Sequence, residues 1–145
     1  MENGEPLVLI EDNPDDAELI GRALRMAKIF NPVIVITDGD AALDYLNGQV
    51  KHAGETDFQK PILFLLDLKL PRRSGFEVLR AIRADVRTCR TPVVVLTSSN
   101  QERDIRTAYE LGANSYLTKP INQDDLAAMM RALGAYWIKF NKVAC

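Results

Sequence analysis

Along the chain, short apolar runs alternate with stretches in which apolar positions recur every three or four residues. The runs are PLVLI (Pro6–Ile10), NPVIVI (Asn31–Ile36), PILFLLD (Pro61–Asp67), PVVVLT (Pro92–Thr97) and SYLT (115–118). Each reads as a strand, and the third is too apolar for a sheet with one wet face. Between the first two, NPDDAELIGRALRMA reads as a helix. Asn13 suits its cap, Pro14 its first position, and Asp15 and Asp16 the positive end of its dipole. Ala17, Ile20 and Leu24 share one face of it. DGDAALDYL, GFEVLRAIRAD and QERDIRTAYEL follow as three more helices, with Val78, Leu79 and Ile82 spaced for burial and Gly112 ending the third. A last helix starts near Asn122, with Asp124 and Asp125 in its first turn.

Continuously apolar strands alternating with amphipathic helices predict an α/β protein with a parallel sheet covered on both faces. Right-handed crossovers make a five-stranded doubly wound sheet the simplest topology. The 145 residues suit a single domain, and 47% hydrophobic with 26% charged residues is ordinary for a globular chain. A net charge of −2 offers no basic field for nucleic acid or anionic lipid. Cys89 and Cys145 fit neither a metal site nor a disulfide framework. No apolar run approaches the ~18 residues of a membrane span, and no secretory leader opens the chain. A cytoplasmic protein with no nucleic acid or membrane partner is expected. One polar stretch, Asn47 to Lys60, breaks the rhythm and carries the lone histidine, His52, expected to be a solvated surface residue.

In an open parallel sheet, ligands bind beyond the carboxyl ends of the strands. Those ends carry Glu11 and Asp12, then Asp67, then Thr97 and Ser98, then Lys119 and Pro120. If strands one and three are neighbours, three carboxylates converge, and either a proton is retained or a cation enters. Such a hard oxygen set suits Mg²⁺. The Thr97 hydroxyl and the Lys119 ammonium then face an anion beside the metal, a site for phosphoryl transfer onto Asp67 as carboxylate nucleophile. Each member has a blander reading alone, as helix-start acid, strand-end residue or turn. Their joint placement gives the site its specificity.

At LIEDNP, LLDLKLPRRSG, VVVLTSS and LGANSYLTKP the chain resembles the receiver domains of two-component response regulators, over about residues 7–139. The resemblance implies the flavodoxin-like order 2-1-3-4-5, with residues 1–145 as one receiver domain and no output domain. It implies Asp67 as phosphoacceptor. Asp12, Asp67 and the main-chain carbonyl of Lys69 would bind Mg²⁺, with Glu11 acting through water. Thr97 and Lys119 would hold the phosphoryl oxygens. Ser98 stands where the family commonly has Ala or Gly, still small enough for access. Thr97 and Tyr116 would form the switch, though an edge-strand aromatic half buried for packing remains open for Tyr116. Pro120 is the candidate for a cis peptide bond.

The partner implied is a sensor histidine kinase. The long 49–60 segment together with LPRRSG is similar to the small regulators paired with bacterial phytochromes. Output is expected as a protein contact with an unnamed partner. Leu126, Met129, Met130, Leu133 and Trp137 form the core-facing stripe of the last helix. Tyr136, Ile138 and Phe140 add apolar area, read as terminal packing or as a patch for a homodimer. Helices four and five with strand five are the expected face. Two rivals remain: a small phosphatase using Asp67, which lacks a second acid because Lys69 stands two positions on, and a pseudo-receiver acting as a plain binding module. Arg72 and Arg73 are expected to be solvated.

Overall fold

The structure is a computed structural model, and it describes residues 4–48 and 58–144. Strands β1 (Leu7–Ile10), β2 (Val33–Ile36), β3 (Leu63–Leu66), β4 (Val93–Thr97) and β5 (Ser115–Thr118) alternate with helices α1 (Pro14–Met26), α2 (Gly39–Leu46), α3 (Gly75–Ala84), α4 (Glu102–Glu110) and α5 (Gln123–Gly134). The sheet is parallel throughout in the order β2-β1-β3-β4-β5, as expected. Strands β1 to β4 are one to three residues shorter than the apolar runs, since Pro6, Pro32, Pro61 and Pro92, which have no N–H to donate, stand before them, and β5 matches its run.

Alternation along each strand feeds two cores. Val8, Ile10, Phe64, Leu66, Val93 and Val95 pack under α2, α3 and Ala108 of α4. Leu7, Leu9, Leu63, Leu65, Val94 and Leu96 pack under α1 and α5. All residues of β1, β3 and β4 are buried, which is why these runs show no polar alternation. Side-chain caps start four helices: Asn13, Asp38, Ser74 and Asn122 each accept from main-chain N–H groups one turn in. Gly112 ends the α4 region at φ +104°, a conformation that L side chains rarely adopt.

Of the predicted stripe on α5, Leu126, Met130 and Leu133 are buried, with Met129 and Trp137 packed partly against them. The backbone then widens into a π-helical turn, Ala135–Phe140, closed by the Asn141 N–H donating to Tyr136 O at 2.7 Å. Tyr136 and Phe140 are left exposed. Arg72 and Arg73 are exposed, as expected, and each also faces an acid at the start of α2. Arg73 Nε donates to Asp40 at 2.9 Å and Arg72 lies 3.9 Å from Asp38, tying the β3–α3 loop to the start of α2. His52 and Cys145, and most of the 49–60 segment, lie outside the described residues. No described helix is long and apolar enough to cross a membrane.

Candidate functional site

The ladder hydrogen bonds run one residue past the strands, and this fixes where the acids sit. Glu11 N–H donates to Ile36 O at 2.9 Å, Asp67 N–H to Ile10 O at 3.0 Å, and Lys119 N–H to Thr97 O at 2.7 Å. Glu11, Asp67 and Lys119 are therefore held by main-chain bonds before any side-chain contact is made. Gly75, at the start of α3, lies so close behind the site that a Cβ there would meet Asp67 O at 2.3 Å. Only glycine permits that approach, and the 2.9 Å bond from Gly75 N–H to Leu68 O depends on it.

Glu11, Asp12 and Asp67 each offer a carboxylate oxygen within 4.8 Å of the others. Glu11 and Asp67 are buried, and Asp12 faces solvent. Asp67 is held from two sides: the Thr97 hydroxyl donates to Oδ1 at 2.8 Å and the Lys119 ammonium to Oδ2 at 3.0 Å. Lys69 N–H also reaches Oδ1, at 3.2 Å, while its side chain points outward into solvent. Lys119 lies 2.6 Å from Glu11 Oε1 as well. Burial pushes the Glu11 carboxyl up, its bonds to Lys119 only partly offset this, and the result is about 7. Burial works against charge on Lys119, but its bonds to Glu11 and Asp67 outweigh it and hold the ammonium above its ordinary range. One ammonium thus shares two buried carboxylates, an excess of negative charge that fits a divalent cation bound through oxygen.

The sequence-based expectations meet the structure unevenly. Glu11, Asp12, Asp67, Thr97 and Lys119 come together. Ser98 lies next to Thr97 and is exposed. Tyr116 is half-buried and packs on the first core, with its hydroxyl donating to Ser99 O at 2.9 Å, while burial raises its phenol. Pro120 is a correction: no peptide bond among the described residues is cis, so Lys119–Pro120 is trans, the form X–Pro bonds favour by about 0.5–1 kcal/mol. Lys119 reaches its partners from that trans chain.

Sequence reasoning missed two contributors. Asp16, read as a dipole acid, accepts from Lys119 at 3.2 Å. Ser99, one residue past the expected pair, donates through Oγ to Asp104 Oδ2 at 2.6 Å. Asp16 stands one helical turn beyond Asp12, the only trace its sequence position leaves.

Comparison with known proteins agrees with this geometry. Residues 7–131 match the model of the response regulator receiver domain. The response regulator Rcp1 of Synechocystis sp. is 38% identical over 133 residues, 92% of this chain and 88% of that protein. The crystal structure of the phosphorylated cyanobacterial phytochrome response regulator RcpA superposes with a TM-score of 0.89 at 34% identity, covering 99% of this chain and all of the other. The Mn²⁺-bound form of Rcp1 gives 0.88 at 35% identity, covering 98% of this chain and 100% of the other. With an acid at the ends of β1 and β3, a hydroxyl closing β4 and a lysine after β5, in the 2-1-3-4-5 order, and with the family model matching residues 7–131, the chain belongs to the response regulator receiver family.

Proposed function

We propose that this chain is a phytochrome-type response regulator that accepts a phosphoryl group on Asp67 from the phosphohistidine of a sensor kinase. The observation that carries the reading is Asp67 itself, a buried carboxylate with a hydroxyl on one oxygen and an ammonium on the other. In the transfer, an Asp67 oxygen bonds to phosphorus as the phosphorus–nitrogen bond breaks, and the electron pair leaves on the imidazole nitrogen. Lys119 and Thr97 supply donors for the oxygens of the group in transit. Exposed, small Ser98 flanks the same oxygens. Asp12, Asp67 and the Lys69 main-chain carbonyl would hold Mg²⁺, with Glu11 acting through water. Mg²⁺ bound there withdraws charge from the phosphoryl oxygens.

The phosphoryl group brings about −1.5 to −2 charges in place of the single negative charge of the Asp67 carboxylate, and new acceptors beside Thr97. Thr97 and Tyr116 then bias a two-state surface by population shift. Similarity to RcpA, a cyanobacterial phytochrome response regulator, supports a phytochrome as the kinase, and the cytoplasm is the compartment that goes with this reading. Association through α4, β5 and α5 is the favoured output: β5 is an edge strand, and Tyr109 and Ile121 beside it are exposed. Sedimentation as a monomer both with and without beryllofluoride would exclude that contact.

Acetyl phosphate with Mg²⁺, followed by intact-mass measurement, tests the main reading. The expected result is one phosphoryl group per chain, lost in Asp67→Asn. Rapid turnover of excess acetyl phosphate would favour a phosphatase, and absence of any adduct a binding module.

A further inference from the structure

Lys119 has three N–H donors and three acids within ion-pair reach: Glu11 at 2.6 Å, Asp67 at 3.0 Å and Asp16 at 3.2 Å. The first two belong to the trio whose oxygens converge within 4.8 Å; Asp16 does not. Among the described residues, Lys119 is the one partner of the Asp16 carboxylate. Glu11 and Asp67 must divide their oxygens between Lys119 and any cation the trio holds. Asp16 divides its oxygens with nothing.

Asp16 is also a fixed post. Its N–H donates to Asn13 Oδ1 at 3.1 Å, and α1 behind it is pinned by Ile20, Ala23 and Leu24 in the second core. A lysine is a point charge on a flexible four-carbon stem, so its aim depends on what holds the far end. A first-turn acid serving only the helix dipole needs no such partner. Neighbouring Asp15 occupies the same turn and is exposed.

We propose that Asp16 is a positioning residue for Lys119, keeping the ammonium directed at Asp67 when Glu11 and Asp67 engage a divalent cation. The proposal rests on Asp67 as phosphoacceptor. In the assayed step acetyl phosphate is the donor: its phosphorus–oxygen bond breaks, acetate leaves with the electron pair, and an Asp67 oxygen bonds to phosphorus. Asp16 takes no part in bond making and acts through Lys119 alone.

The test uses the full chain and its Asp16→Ala, Asp16→Glu and Asp67→Asn variants, with three readouts. Initial phosphorylation rate at saturating Mg²⁺ and acetyl phosphate should fall about tenfold in Asp16→Ala and recover in part in Asp16→Glu. Mg²⁺ affinity by calorimetry should stay unchanged. Lys119 labelling by acetic anhydride, mapped by mass spectrometry, should rise in Asp16→Ala when Mg²⁺ is present, while the wild-type lysine stays protected. Equal rates and equal labelling in wild type and Asp16→Ala would overturn the proposal. So would Mg²⁺ affinity falling in step with the rate, since Asp16 would then be a ligand. Failure of the underlying reading is separate: the wild type would take up no phosphoryl group, or Asp67→Asn would take it up equally well. The labelling still reports on Asp16 in that case.

Discussion

Two cations are drawn into this fold, one at each end of the sheet, and they are neutralised in opposite ways. Lys119, at the carboxyl ends of the strands, is surrounded by the carboxylates of Glu11, Asp16 and Asp67. Arg83, at the amino ends, has none among the described residues. Its guanidinium donates to Gly112 O and Asn114 Oδ1 at 2.8 Å and to Thr91 O at 2.7 Å, with longer bonds to Thr88 O and Cys89 O. The consequences for charge are opposite as well. Burial pulls the Arg83 guanidinium below its ordinary range, whereas the acids hold Lys119 above its own. Carbonyls belong to one backbone geometry, so the Arg83 arrangement has a single state. Carboxylates can exchange a lysine for another cation or a phosphoryl group, so the Lys119 arrangement has several. One end of the sheet is built to be rigid, and the other to be rewired.

The sharpest way to break that contrast is to remove each cation in turn. Lys119→Met should lower the initial phosphorylation rate about 10²-fold, the usual cost of deleting one preorganised charge from a transfer site. Its urea midpoint in Mg²⁺ should move little, because bound metal takes up the charge left on Glu11 and Asp67. A variant that unfolds while its rate survives would reverse the assignment of the two ends.

Arg83→Ala should do the opposite. It strands partly buried acceptors on two segments, the α3–β4 and α4–β5 connections. An expected loss of about 2–3 kcal/mol in urea unfolding follows. Phosphorylation by the folded protein should stay at the wild-type rate. Arg83→Lys should rescue little, because three rotatable donors cannot reproduce a planar fork that spans Gly112 O and Thr91 O together. Full recovery with lysine would show that charge, not fork geometry, is what that end requires.

The same contrast explains what the sequence disclosed. The functional end was readable because its groups sit at the ends of apolar runs: Asp67 closes one, Thr97 another, and Lys119 follows a third. Strand ends are local features, and the rule that ligands lie beyond them supplies the assembly. Arg83 left no such trace. It stands mid-helix among residues chosen for α3, and its acceptors lie five to 31 positions away. Backbone carbonyls carry no residue identity to read. Asp16 was hidden by a different cause: a first-turn acid already has a sufficient local reason, and its contact with Lys119 spans 103 positions. The π-helical turn at Ala135–Phe140 was also unreadable, since the apolar spacing Met130, Leu133, Trp137 fits an ordinary helix.

The smallest effect is expected between these extremes, where the functional end meets α4. Gln101 precedes α4 without a side-chain cap. Ser99 substitutes: its Oγ donates to Asp104 Oδ2 at 2.6 Å and accepts the Gln101 N–H at 3.3 Å, while its carbonyl takes the Tyr116 hydroxyl. Loop, helix start and switch aromatic therefore share one residue. Asp104→Ala removes one hydrogen bond at a half-exposed position, so its stability loss should be about 1 kcal/mol, well below that of Arg83→Ala. The phosphorylation rate should hold, because nothing touching Asp67 changes. What should move is Tyr116, whose side-chain NMR signals would report a mixture of rotamers once the Ser99 loop loosens. A loss of stability equal to that of Arg83→Ala, with Tyr116 unmoved, would make this loop part of the rigid framework and erase the division between the two ends.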